Sequence, residues 1–105
     1  MLPFTIVRAH DGDAVLTVGE HEQRRCPSFA AAAEAVGLGA LPPANVFDLA
    51  AHSGIATSLA FDGVIYLVAI AGGDAARVES FADAELWLAR AIRAGFPTSE
   101  FARNF

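Results

Sequence analysis

The chain has no lysine, a single cysteine and little charge of either sign. Without lysine it cannot build a Walker-type phosphate loop, which uses that side chain on the β/γ-phosphates. Its basic residues are seven arginines against twelve carboxylates, a net charge of −5. Nucleic-acid binders carry a basic stripe. Here only Arg24 and Arg25 are adjacent, with Glu20 and Glu22 just before them, so no nucleic-acid partner is expected. One cysteine excludes an internal disulfide framework and fits a reducing compartment. The first residues, Met1 to Arg8, lack the basic and long apolar regions of a signal peptide. The expected location is the cytoplasm.

One segment is nearly free of charge. Gly54–Gly73 is interrupted only by Asp62, so its hydropathy alone would suit a membrane span. Asp62-Gly63 sits at its centre, between runs rich in β-branched and aromatic residues. That is the pattern of a β-hairpin, whereas a span would bury an unpaired carboxylate at its midpoint. No membrane partner is expected.

Apolar residues are abundant at 54%, above the usual ~45–50%. Much of the excess is alanine. Together with the missing lysine it reads as a bacterial, GC-rich coding bias. The other reading is an apolar surface reserved for a partner, either another protein or a second copy in a homodimer.

Along the chain, Phe4–Ala9 and Ala14–Glu20 read as strands around the turn His10-Asp11-Gly12-Asp13. His21–Pro27 reads as polar connection. Ser28 caps a helix over Phe29–Val36, stopped by Gly37 and Gly39. Pro42-Pro43 precedes a short helix over Ala44–His52. Ile55–Phe61 and Val64–Ala71 form the second hairpin. Its second strand is apolar throughout, which predicts burial on both faces. Ala75–Glu79 leads to Ser80, the cap of a helix whose Phe81, Ala84, Leu88 and Ile92 share one stripe. That helix ends at Gly95.

The two halves resemble each other. Asp11-Gly12 returns as Asp62-Gly63, and Ser28-Phe29-Ala30 returns as Ser80-Phe81-Ala82. Leu16 is matched with Leu67, Phe29 with Phe81 and Val36 with Leu88. The expected fold is α+β: a tandem ββα repeat giving a four-stranded antiparallel sheet with two helices on one face, plus a short middle helix. All 105 residues form one domain, with pseudo-repeats at about 4–37 and 55–95 joined by a helical linker at 42–53. A hairpin followed by a Ser-started helix in each half resembles small tandem ββα domains of the YegP type. The resemblance implies architecture only.

Candidate chemistry is sparse. Cys26, beside two arginines and ahead of a helix N-terminus, is the candidate reactive thiol, with His21 or His52 as its base. No known Cys/His signature surrounds it, and no catalytic residue is assigned. His10, Asp11, Asp13, His21 and Glu22 cluster in sequence but read as a solvated hairpin, so no metal site is assigned. His52-Ser53 near Asp48 resembles a triad in composition only. No cofactor is expected. The candidate interface residues are Tyr66, Trp87, Phe96, Phe101 and Phe105, since clustered aromatics mark docking surfaces. The expectation is a small acidic protein-binding module without catalysis, such as an inhibitor, immunity-type protein or regulatory subunit. The alternative is a small enzyme or ligand-sensing domain using Cys26 or a histidine.

Overall fold

A computed structural model of the chain describes residues 2–9, 12–19 and 23–94. Among them are six strands and three helices: β1 (Phe4–Arg8), β2 (Ala14–Val18), β3 (Gln23–Cys26), α1 (Phe29–Ala35), α2 (Val46–His52), β4 (Thr57–Phe61), β5 (Tyr66–Ile70), β6 (Ala75–Val78) and α3 (Phe81–Arg93). The strands form one antiparallel sheet in the order β3-β2-β1-β4-β5-β6.

This corrects the expected architecture. The sheet has six strands, and the ββα unit is replaced in each half by three strands and a Ser-capped helix. The extra strands are β3, in the segment His21–Pro27 expected to be polar connection, and β6, in Ala75–Glu79, expected only to lead into the last helix. Both are four residues long, and their sequences, Gln-Arg-Arg-Cys and Ala-Ala-Arg-Val, carry no apolar run. Each is an edge strand with one side open to water, a position that tolerates charge and suppresses edge-to-edge pairing. Strand pairing made them strands, and propensity did not reveal them.

The halves meet at β1 and β4, paired antiparallel with Ile6 opposite Leu59. Following the register outward from that pair makes Leu16 equivalent to Val68, and Cys26 to Val78. The expected match of Leu16 with Leu67 is therefore off by one. A one-residue slip reverses the face in a strand: Leu16 is buried, and Leu67 points to the other side.

All three helices contact the sheet, and the buried residues of β1 to β5 all lie on one face. Phe4, Ile6, Leu16, Leu59, Tyr66, Val68 and Ile70 lie there. The second hairpin spans β4 and β5, with Asp62 and Gly63 in its turn as the sequence indicated. Asp62 Oδ1 accepts from the Val64 and Ile65 amides, and these bonds hold its carboxyl below the usual range. Gly63 takes a positive φ of 106°, open to glycine without strain. The apolar strand of this hairpin is not buried on both faces. Tyr66, Val68 and Ile70 are buried, while Leu67 is exposed.

Serine caps recur at both repeat helices. Ser28 Oγ accepts from the Ala31 amide and Ser80 Oγ from the Asp83 amide, each at 3.1 Å. The residue after each serine is a phenylalanine, and Phe47 of α2 joins the two. Phe29 and Phe47 stack with ring centroids 4.0 Å apart. Phe81 lies 6.3 Å from Phe29 and 6.0 Å from Phe47, nearly parallel to both.

Candidate functional site

The most connected polar group is Asp48 on α2. Its Oδ1 accepts from Arg8 Nε and from the Phe29 amide, both at 2.8 Å. Its Oδ2 accepts from Asn45 Nδ2 at 2.8 Å and from the Ala30 amide at 3.1 Å. Asn45, the N-cap of α2, returns an acceptor to the Asp48 amide at 3.0 Å. Arg8 Nη1 donates to the carbonyls of Ala9 and Gly12. Arg8, Asn45 and Asp48 are all buried. Burial pushes the Asp48 pKa up, but the bonds from Arg8, Asn45, Phe29 and Ala30 outweigh it and hold the carboxyl below its ordinary value. With its oxygens so engaged, Asp48 is a clamp joining β1, α1 and α2. It also caps the first two amides of α1, while Ser28 takes the third.

The triad-like grouping of Asp48, His52 and Ser53 is not assembled. Asp48 faces inward, while His52 and Ser53 are exposed. Cys26 is 4% exposed and packs in the core opposite Ala14. Val78 holds the equivalent place in the other half, so the position is one for a small apolar side chain. Of the polar cluster in the first hairpin, Asp13 is exposed; His10, Asp11, His21 and Glu22 lie outside the described residues. Among the described residues no three His, Cys, Asp or Glu side chains converge as metal ligands.

The candidate interface aromatics separate. Tyr66 is buried in a cluster with Phe4 and Phe61, at ring distances of 6.4 and 4.7 Å. Trp87 is half-buried against the core. Phe96, Phe101 and Phe105 lie outside the described residues.

Two surfaces remain. A groove of about 440 Å³ runs between α2 and α3. Val46, Leu49, Ala89 and Ile92 line it, with His52, Ser53 and Arg93 as its polar groups. The other surface is the sheet face away from the helices. Its first row across the strands reads Arg25, Val15, Val7, Ser58, Ala69, Ala75. The second reads Gln23, Thr17, Thr5, Ala60, Leu67, Arg77. The four central strands carry no charge on this face, and the two arginines stand on the edge strands. Val7 is 45% and Leu67 39% exposed. Shallow hollows of about 230 and 210 Å³ flank Ala60, with Asp62 at the border of both.

Sequence reasoning missed this face because it assigned neither β3 nor β6. The alternation of Thr5 and Val7 with buried Phe4, Ile6 and Arg8 held the signal for the central part. No helix among the described residues is long and apolar enough to cross a membrane. Comparison with protein-family models, with curated proteins and with solved structures returns no match.

Proposed function

We propose that the chain is a small acidic bacterial protein-binding module of the cytoplasm, without catalytic activity, in the manner of an inhibitor, immunity-type protein or regulatory subunit. Its docking surface is the open face of the sheet. The observation that carries this reading is that face itself: four strands wide without a charge, built from small and β-branched side chains, with Val7 and Leu67 exposed. Charge-depleted patches with a polar rim are what protein interfaces share. The burial of Cys26 and the saturation of Asp48 support the non-catalytic part, since both are withheld from a substrate. The test is affinity capture with the full chain and with Leu67→Lys. The reading expects a bound protein that the variant loses. Identical capture by both proteins would refute the docking face.

A second reading, a ligand-sensing domain, is favoured by the α2–α3 groove. Its volume lies in the range of small-molecule sites, roughly 300–1,000 Å³, and His52 is the histidine that borders it. A thermal-shift screen with metabolites should give a hit that His52→Ala weakens. A screen without hits counts against this reading.

A further inference from the structure

The open face has a symmetry that bears on what it docks. The β1–β4 pairing centres on Ile6 and Leu59, so a two-fold turn about that point carries each half of the sheet onto the other. It carries Val7 to Ala60, Val15 to Leu67 and Arg25 to Arg77. The two arginines therefore stand at diagonally opposite corners. The remaining corners are Ala75 and Gln23, both uncharged.

We propose, as a deepening of the protein-binding reading on which it rests, that the partner of this face is a second copy of the chain, packed sheet against sheet. Stacked sheets lie about 10 Å apart with strands aligned to within about 30°, the side chains of the two inner faces interdigitating. Here one face supplies both sides. Charge decides the rest. Turned over about an axis along the strands or across them, the second copy sets each of its arginines above Ala75 or Gln23 of the first. No arginine meets an arginine, and each of the four corners receives one positive charge.

Four strands of five residues and two of four, about 4.8 Å apart, cover roughly 450 Å² per copy. The two copies together bury about 900 Å², the size of a weak, reversible association.

The test is the mass of the full chain in solution, measured by sedimentation equilibrium over a concentration series. The expected result is a dimer whose dissociation constant rises at least about tenfold in Leu67→Lys and in Val7→Lys, each keeping the wild-type far-UV spectrum. Both side chains point away from the core, so neither substitution disturbs the packing of the monomer. A wild-type chain that stays monomeric up to about 1 mM, the range of weak association, overturns the second-copy proposal. The foreign-partner reading is then decided by the capture experiment with Leu67→Lys. A dimer as tight in both variants as in wild type overturns the face as its site.

Discussion

Thr57 carries a buried side-chain oxygen with no hydrogen-bond partner, the one such atom among the described residues. It stands opposite Arg8 on β1 and opposite Ile70 on β5. An unmet buried hydroxyl costs about 1–3 kcal/mol relative to a satisfied one. Valine keeps the branched shape and removes the oxygen. Thr57→Val should therefore stabilise the chain by about 1 kcal/mol, raising the melting temperature by about 4–8 °C. A lower melting temperature would show that the hydroxyl has a partner in solution. Cys26 permits a similar argument from the equivalent position. Since Val78 fills that place in the other half, Cys26→Val should shift stability by less than about 1.5 kcal/mol. The wild-type thiol should react with a water-soluble thiol reagent only at the rate of unfolding. Rapid modification of the native protein would contradict its burial.

At the scale of elements, the caps were legible and the edge strands were not. Ser28 and Ser80 sit before helical runs with phenylalanine next in both cases, and hydroxyl-to-amide capping depends on those few neighbouring residues. The central strands were legible too, because Phe4–Arg8 and Tyr66–Ile70 hold enough β-branched and aromatic residues. β3 and β6 obtain their strand character from β2 and β5 through pairing, which no local window contains. The same distinction limits the reading of Asp48. Its place on α2 was visible, but its bonds to Arg8, forty residues away, and to the start of α1 were not. The two caps should differ in consequence. Ser80→Ala removes the one side-chain acceptor seen at the start of α3 and should cost about 1 kcal/mol. Ser28→Ala leaves the first two amides of α1 on Asp48, so α1 should stay ordered. Hydrogen exchange should show faster exchange in the first turn of α3 than of α1, each compared in its own variant. Equal fraying would mean that Asp48 does not hold α1.

For the whole molecule, the clamp and the phenylalanine stack join what the sheet alone would leave separate. α2 belongs to neither repeated half, yet it contributes Phe47 to the stack and Asp48 to the clamp. The pH dependence of stability should report on that junction. In the folded chain the Asp48 pKa lies below its ordinary 3.8. The unfolded chain therefore binds the proton first as the pH falls, and stability falls with it. The Asp48 contribution is complete above about pH 4–5 and disappears as the pH drops through the folded pKa. Glu85 acts in the opposite sense. Burial raises its pKa above 4.5, so its ionisation weakens the fold at neutral pH, and acidification relieves that cost. Asp48→Asn should thus destabilise at pH 7 by about 3–5 kcal/mol, the cost of leaving a buried charge such as Arg8 without its partner. That is a large share of the ~5–15 kcal/mol of an ordinary domain. It should also flatten the loss of stability below pH 4. Glu85→Gln should instead raise stability at pH 7 and have little effect at pH 3, where both side chains are neutral. Urea titrations of the three proteins at pH 7, 5 and 3 measure both slopes. An Asp48→Asn profile parallel to wild type down to pH 3 would place the acid-sensitive group elsewhere in the chain.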